Sequence, residues 1–269
     1  MRFLETAESI AREAGAVLLH HMRQGIAFDM KGDFDLVTAA DKASEKLVVE
    51  RLTSHFPEHG IIAEEGGGHT SPSEYKWYVD PLDGTTNFAH GYPMFNVTLA
   101  LEKAGQMIAG VVYDPLHDEM FRAGLGSGAY LNDAPISVSG ARRLRDSLVS
   151  TGFPSHSRET NFNIHFYHQM AMSTHGVRRG GSAAIDLAYV ACGRLDAFWE
   201  FGLKPWDLAA GALIVTEAGG AASTMKGEPH KIGDAHLLCT NGHLHSETLQ
   251  QFSEIFRGEM RHPMPPVQP

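Results

Sequence analysis

The apolar run Trp77-Tyr78-Val79 breaks into Asp80-Pro81-Leu82-Asp83-Gly84-Thr85-Thr86-Asn87-Phe88, and this junction limits the folds open to the chain. The run predicts the end of a buried strand, stopped by the turn formers Pro81 and Gly84. A buried strand that ends in two carboxylates must open onto solvent or a cation. Hard cations such as Mg²⁺ take oxygen ligands in near-octahedral array, and Asp80, Asp83 and the Leu82 carbonyl can supply several from one short loop. The N–H groups and hydroxyls of Gly84, Thr85 and Thr86 can meet a phosphate, above all where a helix turn begins there. A cation loop joined to an anion loop points to phosphate chemistry. Taken singly, Asp-Pro and Asp-Gly are ordinary surface turns; the functional reading gains weight from further carboxylates at other strand and helix ends.

With 269 residues the chain can form one large domain or two closely packed ones. Its formal net charge of -10 argues against general nucleic-acid binding, although carboxylates gathered at a cation site inflate that figure. Cys192 and Cys239 are too few for a disulfide framework or a zinc ribbon, and their apolar surroundings predict buried free thiols. No apolar run reaches transmembrane length, and the first helix carries Glu5, Glu8, Arg12 and Glu13 where a signal peptide is apolar. The expectation is a soluble, cytoplasmic protein without membrane contact.

Apolar residues recur at helical spacing from Phe3 to Met22, which predicts a scaffold helix closed by the surface residues His20 and His21. The segment from Lys31 to Asp41 enters a second helix that runs to about His55. Thr38 or Asp35 can be its N-cap with Asp41 a favourable first-turn charge; alternatively Asp41 reaches the Asp80 loop and orients a water. The short strand Ile61-Ile62-Ala63 ends in Glu64-Glu65, adjacent like charges that call for solvent or a cation, so one of them is a candidate metal ligand. Gly66, Gly67 and Gly68 follow as a loop.

Alternation from Phe95 to Leu101 and again from Met107 to Tyr113 predicts an antiparallel hairpin, extended by a strand near Glu119 to Arg122. Gly124, Gly126 and Gly128 are not a dinucleotide fingerprint, because a strand and turn follow them and not a helix. After the basic run Arg142, Arg143 and Arg145, read as a solvated face or a partner contact, strands and helices alternate. The expected division is an α+β half over residues 1–146, an α/β half over 147–261 and a disordered tail over 262–269. In the second half, Lys204-Pro205-Trp206-Asp207 opens a helix. Asp207 is either its N-terminal charge or a carboxylate facing Asp80 and Asp83 across a cleft, with Glu200 and Gly181-Ser182-Ala183 lining the alcohol end.

Together these segments resemble the inositol monophosphatase family of metal-dependent phosphatases: DLVTAAD at Asp35, AEE at Ala63, DPLDGTTNF at Asp80, GSAA at Gly181, KPWDLAAG at Lys204 and EAGG at Glu217. The resemblance implies a layered α-β-α-β-α sandwich that forms homodimers and binds two or three Mg²⁺ per site. It implies Glu65, Asp80, Asp83, Asp207 and the Leu82 carbonyl as ligands, with Glu64 serving an additional metal and Lys31 a lysine before the Asp35 segment. Gly84, Thr85 and Thr86 would hold phosphate, and Asp41, Thr85 and Glu65 would serve the attacking water. Ala183, Glu200 and Asp207 would meet the substrate. The implied reaction is lithium-sensitive hydrolysis of inositol 1-phosphate by metal-activated water, with no phosphoenzyme. Histidinol phosphate, fructose 1,6-bisphosphate and nucleotide phosphates are alternatives within the family. A reading of a different class is a regulatory role in RNA metabolism, with Arg178-Arg179 and the run at Arg142 as a surface for transcription machinery.

Overall fold

The computed structural model describes residues 2–25, 28–32, 35–154, 161–234, 236–264 and 266. The Lys31 side chain and residues 265 and 267–269 of the tail lie outside that set. Helix α1 (Arg2–Gln24) buries Ala7, Ile10, Ala11, Ala14 and Leu18, the stripe that its spacing requires. Strands β1 (Phe28–Gly32) and β2 (Asp35–Thr38) form an antiparallel hairpin where only an approach to a helix was expected. Helix α2 (Ala39–His55) starts at Thr38, whose hydroxyl accepts from the Ala40 and Asp41 amides while Asp41 reaches back to the Thr38 amide.

A seven-stranded sheet follows: β3 (Gly60–Ala63), β4 (Tyr75–Asp83), β5 (Asn96–Lys103), β6 (Gln106–Asp114), β7 (Glu119–Gly124), β8 (Ala129–Leu131) and β9 (Ala134–Ile136). The strands lie in sequence order and pair antiparallel, except that β3 runs parallel to β4. Helix α3 (Thr85–Ala89) sits between β4 and β5. The second half supplies β10 (Leu148–Thr151), α4 (Asn163–Ser173), β11 (Gly176–Arg178), α5 (Ala183–Ala191), β12 (Ala197–Phe201), α6 (Pro205–Glu217), β13 (Ala221–Ser223), β14 (His236–Thr240) and α7 (His245–Phe256). Its five strands take the order β11-β10-β12-β14-β13, parallel on the β10 side and antiparallel around β14.

Side-chain alternation along the strands assigns each face to a layer. Val97, Leu99 and Leu101 of β5, with Val111 of β6, pack with Ile10, Leu18, Val48 and Leu52 of α1 and α2. On the opposite face, Tyr78, Ala100 and Val112 pack with Leu187, Ala210 and Ile214 of α5 and α6, which also receive Phe198 and Leu237 of the second sheet. Trp199, Phe201 and Leu238 turn outward to Phe166 of α4 and Phe252 of α7. The layers are therefore α1/α2, the seven-stranded sheet, α5/α6, the five-stranded sheet and α4/α7, an α-β-α-β-α sandwich.

The tail does not come loose at residue 262. The His262 amide donates to Gln169 Oε1 at 2.9 Å, and its carbonyl accepts from Gln169 Nε2 at 2.5 Å. These two bonds fasten the chain beyond α7 to α4.

Candidate active site

Asp80 and Asp83 are three apart, and on a regular strand they would face opposite sides of the sheet. A bulge corrects this. Asp80 pairs with Thr98 and Asp83 with Asn96, so the stretch between them carries one residue more than its partner. Both carboxylates consequently emerge on the face that looks toward α5 and α6, and both line one cavity of about 450 Å³. Asp83 Oδ2 is held from three sides, by Asn96 Nδ2 at 2.9 Å, Ser182 Oγ at 2.7 Å and the Ala184 amide at 2.9 Å. Gly84 then turns the chain into α3 at φ +90°, a left-handed conformation in which a Cβ would stand 2.8 Å from the Met94 carbonyl oxygen. Gly84, Thr85 and Thr86 all line the cavity.

Asp41 both caps α2 and reaches the Asp80 loop. Its Oδ2 completes the α2 cap, while its Oδ1 lies 3.0 Å from Thr85 Oγ1, which is also 3.0 Å from the Leu82 carbonyl. The Glu64-Glu65 pair sits in the turn that follows β3. Glu64 lines the cavity and faces Asp80. The Glu65 amide is turned to Glu45 of α2.

From the second half, α5 and α6 present their N-terminal ends to the same cavity, where their dipoles favour an anion. Asp207 lies in the first turn of α6 and accepts from the Lys204 amide at 2.7 Å, so it too both caps a helix and faces the cleft. Ala183 opens α5, and Glu200 reaches the cavity from the end of β12. Gly152 makes room for Glu200: a Cβ there would fall 2.0 Å from the carboxylate. Burial raises the pKa of Asp80 well above the usual carboxylate range, and the charges of Glu64, Asp83 and Asp207 add to the rise. Asp207 is likewise raised by burial and by Asp83 and Glu64, against the opposing Lys204 amide. Burial, then Asp207 and Asp186, raise Glu200. Asp83 rises less, since its three donors favour the charged form.

Among the described residues no three His, Cys, Asp or Glu side chains stand close enough to form a finished cation cage. The donor set is open but chemically apt. Every candidate ligand is an oxygen, and mutual repulsion among buried carboxylates is the condition that a divalent cation relieves.

A profile of the inositol monophosphatase family matches residues 1–257. The chain belongs to that family. An inositol-1-monophosphatase of Mesorhizobium japonicum is 41% identical over 241 residues, 88% of each chain. A Nus factor SuhB of Pseudomonas aeruginosa is 42% identical over 247 residues, 88% of this chain and 91% of its own. The solved inositol monophosphatase of Anabaena superposes with a TM-score of 0.85 at 45% identity, covering 93% of this chain and 94% of that one.

This inositol monophosphatase family member brings further residues to the cleft. Asp186 of α5 is buried beside it, raised well above the ordinary range by burial and by Asp83. Arg179, expected on a partner surface, lines the cavity and donates to the Phe153 carbonyl at 3.3 Å. Arg178, on β11, remains exposed. Arg143 and Arg145 pair with Asp146 at 2.5 and 3.8 Å, the solvated face that a short basic run implies. Gly124, Gly126 and Gly128 surround the β7–β8 turn and approach no helix N-terminus; Glu217 of α6 accepts from two of their amides.

Proposed function

We propose that the chain is a Mg²⁺-dependent phosphomonoesterase whose leading substrate is inositol 1-phosphate. Family membership carries the coarser statement, a phosphatase. The observation that supports the finer one is the convergence of Glu64, Asp80, Asp83 and Asp207 on one cavity that two helix N-termini also face. In this reading Glu65, Asp80, Asp83, Asp207 and the Leu82 carbonyl hold the metal, with Glu64 beside them for an additional one. Bound Mg²⁺ would lower the pKa of a coordinated water and neutralise phosphate charge.

The chain's own groups divide the remaining work. Thr85 Oγ1, placed between Asp41 Oδ1 and the Leu82 carbonyl, is set to accept a water's proton onward to Asp41. The amides of Gly84, Thr85 and Thr86 face the phosphate, and the ends of α5 and α6 add their dipoles. Glu200 accepts from, and the Ala183 amide donates to, hydroxyls of the leaving alcohol. Phosphate release from inositol 1-phosphate, histidinol phosphate, fructose 1,6-bisphosphate and a nucleotide phosphate, with and without Mg²⁺, tests this. Release led by inositol 1-phosphate, abolished without metal and in Asp83→Asn, is expected; a different leader would reassign the substrate, and metal-independent release would refute the site.

A second reading rests on the name of the Pseudomonas relative, a Nus factor. In it the protein also contacts transcription machinery, through the exposed Arg178 and the Arg142 run. Recovery of transcription proteins by the wild type but not by Arg178→Ala is the expected result, and light scattering checks the proposed homodimer in the same preparation.

A further inference from the structure

Three residues on one side of α2 reach three different segments of the cleft wall. Asp41, Ser44 and Glu45 are spaced i, i+3 and i+4, which places them on a single helix face. Asp41 meets Thr85, and Ser44 Oγ donates to the Pro81 carbonyl at 2.8 Å between the two aspartates of the bulge. Glu45, only 4% exposed, uses both carboxylate oxygens: Oε2 accepts from the Glu65 amide and Oε1 from the Gly67 amide, each at 2.7 Å.

From these contacts we infer that Glu45 is a positioning residue that fixes the Glu64 turn, and with it one wall of the cation site. The inference rests on the phosphatase reading above. Glu64 stands between two fixed points. Its own amide donates to the Val79 carbonyl at 3.2 Å, tying it to β4 just before Asp80, and the next amide along the chain is held by Glu45. Gly66 folds the turn back, its amide 3.3 Å from the Ala63 carbonyl, so that Gly67 returns to the same carboxylate. The fit is close: a Cβ on Gly67 would stand 2.7 Å from Glu45 Oε1. A helix-borne fork therefore determines where the turn lies before any ligand arrives, the preorganisation that a cation site built on a glycine-rich loop otherwise lacks.

The test compares wild type, Glu45→Gln, Gly67→Ala and Glu217→Gln. Glutamine offers one acceptor and turns an N–H donor toward a backbone amide, while Gly67→Ala displaces the fork from the loop side and leaves α2 intact. Hydrogen exchange of the metal-free protein reads the clamp directly. Mg²⁺ titrations, followed by melting temperature and separately by turnover, read the site. In Glu45→Gln, exchange over residues 64–68 should accelerate and the half-saturating Mg²⁺ concentration should rise about tenfold by both readouts. Turnover at saturating Mg²⁺ should stay within roughly threefold of wild type, which separates positioning from chemistry. Gly67→Ala should move the same quantities in the same direction, and it carries the test if Glu45→Gln does not fold. Glu217→Gln should move none of them. Unchanged exchange at 64–68, or faster exchange with half-saturation within about twofold of wild type, would overturn the positioning role alone. A wild type whose melting and turnover both ignore Mg²⁺ would bring down the phosphatase reading and this inference with it.

Discussion

Two glycine-rich turns in the molecule are held by the same device and serve different ends. Glu45 grips the amides of Glu65 and Gly67, and Glu217 grips those of Gly126 and Gly128 at 2.8 Å each. In both, a helical carboxylate spans two amides that lie two residues apart. The settings differ. Glu45 is buried, and its turn delivers Glu64 to the cleft; Glu217 is half-buried, and its turn only joins β7 to β8. A carboxylate fork is thus a general way to settle a loop too poor in side chains to settle itself. Whether it matters to chemistry depends on what the loop carries.

The largest effect that sharpens this contrast comes from the site itself. Asp83→Asn should cut turnover by about 10³-fold while the melting temperature stays near that of wild type, since the amide keeps most of the packing. Activity and melting measured on one sample check this; near-normal turnover would remove the site that the Glu45 turn is said to serve. Next in size is Glu45→Ala, which leaves two partly buried amides without acceptors at about 1 kcal/mol each. Urea unfolding should show a loss of about 2 kcal/mol, and a loss no greater than that of Glu217→Ala would erase the difference in burial between the forks. Glu217→Ala itself should cost about 1 kcal/mol or less and leave substrate KM unchanged, because its turn is open to water.

The smallest expected effect concerns His59, which precedes β3 and so stands behind the Glu64 turn. Its Nδ1 accepts from Trp77 Nε1 at 3.1 Å, its ring stacks on Phe56 and Tyr75, and burial lowers its pKa below the ordinary 6.5. Below that value the unfolded chain binds a proton that the folded chain resists, so this contribution is present above about pH 6.5 and is lost as the pH falls. The His59 share of the stability should therefore shrink between pH 7.5 and 5.5, read as a narrowing gap in melting temperature between wild type and His59→Phe, because the raised carboxylates of the cleft act in the opposite sense in both proteins. An identical slope in the variant would clear His59 of the effect.

Much of this was legible in the sequence, for identifiable reasons. The Asp80 loop announced itself because Pro81 and Gly84 break a strongly apolar strand. Helix α1 follows from spacing and α2 from its cap, and the five layers follow from the family resemblance. The β1–β2 hairpin was hidden because its strands are short and mixed in polarity, with Asp29 and Lys31 among apolar residues. Glu64 and Glu65 are chemically equivalent neighbours, so composition could not say that Glu64 lines the cavity; the turn after β3 places it there. Asp186 lies in an otherwise apolar helix, and Arg179 in a basic pair that reads as surface. Glu45 looked like any charge on a helix face until its two amide partners, twenty and twenty-two positions away, were seen.

The bulge in β4 carries a consequence for how this chain can vary. Substitutions at Pro81 or Leu82 alter volume and leave the count of residues between the aspartates unchanged. A one-residue deletion there changes odd to even: the ladder becomes regular, and Asp80 and the shifted Asp83 keep a common face only by losing the kink that opens the strand end. An insertion that keeps the bulge sends one carboxylate through the sheet toward the layer of Leu18 and Val48, where water does not follow. Chain length at this point is a stricter inheritance than residue identity.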